Sequence, residues 1–251
     1  VSLNNAYSAT EWETQIRGAI LDSFVNSKKS LYLIPLVNNE HISKVYATAP
    51  DGERTRIFPT FPHAKIGSTL EVTVGSGDVA ATIESLVEYD VRYLHITSPS
   101  ENELAAAAHL TELESLSFTS RWNVRDELSM DVAYYLRDLP KLSSLSIHGS
   151  YPLRTINTDA ILALPHLKEL HLMGRSWGEE IEEGALVLAD FTQIEVLTLA
   201  SEVLPLRYLH EAGKLTNLRK LILIGIIEDE RNTLLALREA LPDCEIEVRA
   251  E

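Results

Sequence analysis

The chain has 251 residues, 45% of them hydrophobic and 24% charged, which is the ordinary make-up of a globular protein in water. Its formal net charge of −15 at pH 7 disfavours nucleic acid and anionic membrane as partners. A single cysteine, Cys244, excludes an intrachain disulfide framework and a four-cysteine zinc site, and it suits a reducing, cytoplasmic location.

The sequence has no N-x-[ST] glycosylation acceptor. The longest apolar run, Leu221 to Ile227, is far short of a membrane span. The N-terminus has neither a starting Met nor a signal-peptide apolar region, which is compatible with a targeting segment already removed. Charge is unevenly placed. Residues 1–66 carry seven Lys+Arg and six Asp+Glu, whereas residues 67–251 carry fifteen and thirty-one. The step falls where a leucine pattern begins, so two units are expected: a small α+β capping domain over 1–66 and a repeat domain over 67–251.

Thr10 followed by Glu13 reads as a capping box, in which each side chain satisfies the other residue's free backbone N–H. Trp12, Ile16, Ile20 and Phe24 follow at helical spacing and predict an amphipathic helix. A strand is expected over Leu31 to Leu36. Lys44 to Ala49 and Thr55 to Phe61 flank Pro50-Asp51-Gly52-Glu53, a turn signal that predicts a β-hairpin. The order helix, strand, hairpin, with LYLIPL and DGERTRIFPTF, is faintly similar to the N-terminal domain of SseB-like bacterial proteins. That likeness covers about a quarter of the chain and implies no functional residues.

From Leu70 onward a repeat takes over. Leu139, Leu142, Leu145 and Ile147 recur 25 residues later as Leu164, Leu167, Leu170 and Leu172, the same L-x-x-L-x-x-L-x-L written twice. In a strand, residues two apart share a face, so the last two of each set point inward. The paired strand positions are Leu70/Val72, Leu94/Ile96, Leu116/Phe118, Leu145/Ile147, Leu170/Leu172, Leu197/Leu199, Leu221/Leu223 and Ile246/Val248, about eight repeats. Helix-compatible segments lie between them: 79–88, 101–110, 130–139, 158–164, 185–191, 206–212 and 232–241. Strand alternating with helix at this short period predicts parallel strands lining a concave face, with helices outside.

This pattern resembles the ribonuclease-inhibitor-like leucine-rich-repeat proteins over nearly three-quarters of the chain, in a degenerate form of bacterial type. The resemblance implies an α/β horseshoe. It also implies a buried ladder five residues after the leading strand leucine, where the family carries Asn or Cys. Here those positions are Arg121, Ser150, Arg175 and Glu202, so the ladder is missing and irregular loops are expected.

Val74 to Ala80 formally matches the G-x-G-x-x-[GA] turn that lets a pyrophosphate reach a helix N-terminus. It also reads as a plain strand-to-helix turn with Asp78 as N-cap, and the next strand offers no acid for a ribose hydroxyl. Outward strand positions form columns. The central one is Glu71, His95, Ser117, Ser146, His171, Thr198, Ile222 and Glu247. Beside it run Thr73, Thr97, Thr119, His148, Met173, Ala200, Ile224 and Arg249. His148 and His171 lie on adjacent strands, about 4.8 Å apart by strand spacing, with Glu169 the nearest third metal ligand. Surface histidines without a ligand function are commoner, and neither a metal nor another cofactor is assigned. No nucleophile, zinc-protease or P-loop motif occurs, and Glu179-Glu180 and Glu182-Glu183 read as a solvated acidic loop, so no enzyme is expected.

Trp122, Tyr151 and Trp177 fall at nearly the same point of three consecutive ascending loops, with Arg121 and Arg175 beside them. Trp, Tyr and Arg are the residue types that dominate binding hot spots. The same aromatics could equally plug loops that lack the ladder. The expectation is a non-catalytic interaction scaffold, in an immunity or adaptor role. It would hold a basic protein partner on its concave face (His95, His148, His171) and aromatic edge. A small-ligand or nucleotide-binding protein or enzyme, with its site in the N-terminal domain or at Gly75–Ala80, is the alternative.

Overall fold

The structure is a computed structural model and describes residues 30–32, 41–57, 63–65, 68–75, 79–119, 135–149, 162–174, 187–227 and 229–249. The expected helix around Trp12–Phe24 lies outside them. In chain order the strands are β1 (Ser30–Tyr32), β2 (Ile42–Thr48), β3 (Arg54–Arg56), β4 (His63–Lys65), β5 (Thr69–Val74), β6 (Val91–Thr97) and β7 (Ser115–Thr119). Then come β8 (Ser144–Gly149), β9 (Glu169–Gly174), β10 (Val196–Leu204), β11 (Lys220–Ile227) and β12 (Glu245–Arg249). The described α-helices are α1 (Ala80–Glu84), α2 (Glu101–Ala107), α3 (Leu206–Ala212) and α4 (Glu230–Ala240). A 3₁₀ turn, Ser85–Glu88, extends α1, and another, Leu188–Asp190, stands where a helix over 185–191 is expected.

Ten strands make one sheet in the order β12-β11-β10-β9-β8-β7-β6-β5-β2-β3, while β1 and β4 pair with each other. From β5 to β12 each strand lies parallel to the next in sequence, the arrangement of a leucine-rich-repeat-like α/β protein. The hairpin of β2 and β3 is present and joins the same sheet, because β2 pairs antiparallel with β5. Ile42, Val45, Ala47 and Ile57 accordingly belong to the same core as the repeat leucines.

Each repeat is closed by the same device. The leucine that begins the pattern accepts a hydrogen bond from the N–H three residues on: Leu110 from Leu113, Leu139 from Leu142, Leu164 from Leu167, Phe191 from Ile194, Leu215 from Leu218 and Leu241 from Cys244. That single turn swings the chain into the strand, and its two ends are buried in every case but the last, where Cys244 is half-buried. The strand then alternates, inward residues buried and outward ones half-buried. Two residues before each inward strand leucine a rim position recurs as Arg92, Glu114, Ser143, Lys168, Glu195 and Arg219. Three of the five neighbouring pairs carry opposite charge and pair: Arg92 with Glu114 at 2.7 Å, Lys168 with Glu195, and Glu195 with Arg219 at 3.4 Å.

The register corrects one sequence assignment. Val72, not Leu70, pairs with Leu94, and Val74, not Val72, pairs with Ile96, because the β5–β6 ladder is irregular between Leu70 and Glu71. The first step is therefore 22 residues rather than 24, and Thr73 rather than Glu71 lies beside His95. At the far end Val248, expected to face the core, is 38% exposed. Among the described residues β12 is paired only with β11, so its core side lacks a following repeat.

Candidate binding face

The inward faces of the strands pack with helix residues such as Ile83, Leu104 and Leu209 into one core. Binding chemistry is therefore concentrated on the other, open face, where side chains line up strand by strand. One row crosses nine strands in register: Lys44, Thr73, His95, Ser117, Ser146, His171, Thr198, Ile222 and Glu247. A second runs Thr97, Thr119, His148, Met173, Ala200, Ile224 and Arg249.

The three histidines singled out from the sequence all lie on this face, in one connected polar belt. His95 places Nδ1 3.0 Å from Ser117 Oγ and Nε2 3.4 Å from Thr119 Oγ1. His148 Nε2 is 3.0 Å from Ser146 Oγ. His171 Nδ1 is 2.8 Å from Thr198 Oγ1, and its Nε2 is 3.8 Å from the Glu169 carboxylate. The close ring pair is His95 with His148, edge-on at 6.3 Å between centroids. They meet diagonally across β7, where Ser117 lies beside His95 and Thr119 beside His148. The adjacent-strand relation expected for His148 and His171 leaves Glu169 with His171 alone.

Burial pushes all three imidazoles below their ordinary pKa. The Lys44 ammonium adds to the effect at His95, the other two histidines add to it at His148, and Glu169 opposes it at His171. The belt is thus neutral near pH 7, a surface of hydroxyls and uncharged rings. Among the described residues no three His, Cys, Asp or Glu side chains are grouped to hold a metal ion. Sequence reasoning missed two neighbours of the belt. Lys44 is placed by β2, which pairs from outside the repeats. Tyr93 is 46% exposed and lies in register between Glu71 and Ser115. Its signal was present in the sequence, one residue before Leu94.

Trp122, Tyr151, Trp177, Arg121 and Arg175 lie outside the described residues. So do Ser76 to Asp78 of the glycine turn, but its flanks are informative. Gly75 N–H donates to the His41 carbonyl at 2.6 Å. Val79, not Asp78, occupies the N-cap of α1, and its N–H is satisfied by Glu103 of α2 at 3.2 Å. Glu103 is 4% exposed and also accepts from the Ser100 N–H, at 2.6 Å, and from the Ser100 hydroxyl, a capping box legible as Ser-x-x-Glu. Burial raises its pKa, but these hydrogen bonds outweigh it and hold the carboxyl below its ordinary value. The Val79 N–H at the start of α1 is therefore already taken by a carboxylate rather than free for a phosphate.

The fold defines an α/β protein with a leucine-rich-repeat-like sheet, whose outward side chains line up strand by strand. No family model matches the sequence, and no curated protein does. Among solved structures the chain is similar to an internalin, InlF, of Listeria monocytogenes, with 18% identity and a TM-score of 0.32. The similarity covers 67% of this chain and 56% of that protein's chain. At that distance the fold rests on strand order and register alone. Among the described residues no helix is long and apolar enough to cross a membrane.

Proposed function

We propose that this protein is a non-catalytic scaffold that binds another protein on the open face of its sheet. One observation carries the reading. Side chains from nine strands lie in unbroken register across that face, all but the buried Thr198 at least partly exposed, and the histidines there are held by hydroxyls, with Glu169 beside His171 as well. In the fuller form of the proposal the sheet curves as a horseshoe and residues 1–66 cap it. Trp122, Tyr151, Trp177, Arg121 and Arg175 add an aromatic edge in this form. The net charge of −15 favours a basic partner drawn in electrostatically, as an immunity or adaptor protein in the cytoplasm would require.

The test is site-specific photocrosslinking in the cells that make the protein. The crosslinker replaces Ser117 or Ser146 on the face, or Leu235 on α4, which is 48% exposed. A single protein captured from both serine positions, and not from Leu235, is the expected result. Capture from α4 alone, or a melting-point rise in a nucleotide panel without any face crosslink, overturns it.

A further inference from the structure

The open face changes character along its length. Over β6 to β9 it is hydroxyls and imidazoles, but over β9 to β11 it becomes apolar: Met173, Ala200, Val203, Ile222, Ile224 and Ile226. Met173 lies beside Ala200, Ala200 beside Ile224 and, past a register shift on β10, Val203 beside Ile226, so the strip is carried through by Ile222, Ile224 and Ile226 of β11. It also extends beyond the reach of the other repeats. β10 and β11 run on to Leu204 and Ile227 after an irregularity between Ala200 and Val203, and this carries Val203 and Ile226 to 46% and 68% exposure. Burying such side chains rather than leaving them in water is worth roughly 1.5–3 kcal/mol each, so a pair kept exposed beside half-buried isoleucines is costly unless it is covered in use.

The margin indicates what covers it. Glu202 within β10, Asp229 at the N-cap of α4 and Glu245 on β12 are exposed, and Glu247 is half-buried. Among the described residues, the basic groups Lys220 and Arg249 on this border are already committed, Lys220 to Glu245 at 3.0 Å and Glu247 at 3.3 Å, and Arg249 to Glu247 at 2.7 Å, which leaves the surplus of described charge there negative. Three adjacent strands span about 10 Å between the outer two, close to the diameter of an α-helix.

We propose that this strip is the seat of an amphipathic helix from the partner protein, with apolar residues inward and Lys or Arg on its flanks. The inference rests on the scaffold reading above and names its partner's chemistry. The helix runs along the strands with its width covering β9 to β11, and the histidine–hydroxyl belt beside it takes polar groups from the rest of the partner.

Fluorescence anisotropy with synthetic helical peptides tests this. One peptide has a leucine face with lysine flanks, the second has the same face with glutamate flanks, and the third is the lysine peptide scrambled. The lysine peptide should bind, the other two at least tenfold more weakly. Ile226→Asp should weaken binding at least tenfold, and so should Ile224→Asp. Leu235→Asp, on α4 away from the face, should not. Ile226 is solvent-facing, so its variant keeps the fold, checked by an unchanged melting point. If Ser117→Arg, on the belt, abolishes binding and Ile226→Asp does not, the face is a docking surface and the strip is not its seat, which overturns the inference alone. Equal binding of the glutamate peptide, or no binding by any peptide, overturns the assigned chemistry. Sedimentation of the protein alone provides a further check: a dimer dissolved by Ile226→Asp would make the occupant a second copy and overturn the proposal. If neither Ile226→Asp nor Ser117→Arg changes binding, and the face crosslinks fail, the scaffold reading falls with it.

Discussion

At Gly225 the backbone takes φ +127°, and a Cβ there would lie 1.6 Å from the Ser201 carbonyl oxygen. Two physical demands meet at one residue, a positive φ that side chains disfavour and a main chain pressed against its neighbour. This close approach is what lets β10 and β11 continue past the irregularity at Ala200. Gly225→Ala should therefore destabilise the protein by about 2–4 kcal/mol, read as a lower urea midpoint, because neither the φ nor the backbone contact can relax independently. An unchanged midpoint would show that the strand extension is soft. Glu103 is the complementary case. Its carboxylate ties the start of α1 to the start of α2, 24 residues apart, and so does between helices what an Asn ladder would do between loops. Glu211 repeats the device, accepting the Leu188 N–H at 2.9 Å.

The repeat as an element was legible because its period is written in leucine spacing, and six repeats close with the same three-residue turn. The first strand was misaligned for a local reason. Leu70 and Val72 satisfy the inward pattern as well as Val72 and Val74 do, and only the hydrogen-bonded ladder distinguishes them. The columns were legible from the strand period of two. The meeting of His95 with His148 was not, since it runs diagonally across β7 and depends on ring tilt. The belt carries a pH prediction. A histidine whose folded pKa lies below the ordinary 6.5 takes up its proton first in the unfolded chain, so stability is full above that value and falls as pH drops through it. Between pH 7.5 and 5.5 the urea midpoint should decline. The variant His95→Gln with His148→Gln and His171→Gln should decline less, with Lys44 and Glu169, the charges facing the belt, left in place. An identical slope in the variant would assign the decline to other groups.

At the scale of the whole molecule, the charge step at residue 66 and the sheet report different things. The sheet continues through β2 and β3, and β2 supplies Val45 and Ala47 to the core beneath the first repeat. A chain beginning at residue 67 would leave the β5 edge unpaired and uncover Val72 and its neighbours, so it should aggregate or melt well below the full chain. Equal stability as a monomer would make the hairpin dispensable. The segments that carry Trp122, Tyr151 and Trp177 were conspicuous as sequence because their aromatics recur at nearly the same offset, whereas the apolar strip is a property of register and shows only when strands are laid side by side. The rim ladder has a consequence of another kind, for internal gain and loss of units. Because its rungs run Arg92, Glu114, Ser143, Lys168, Glu195, Arg219, the order of the repeats is itself encoded in charge. Excising the unit that carries Ser143 would close Glu114 onto Lys168, opposite signs meeting. Excising the unit that carries Glu195 would instead press Lys168 against Arg219, so the array resists shortening at some joints and permits it at others.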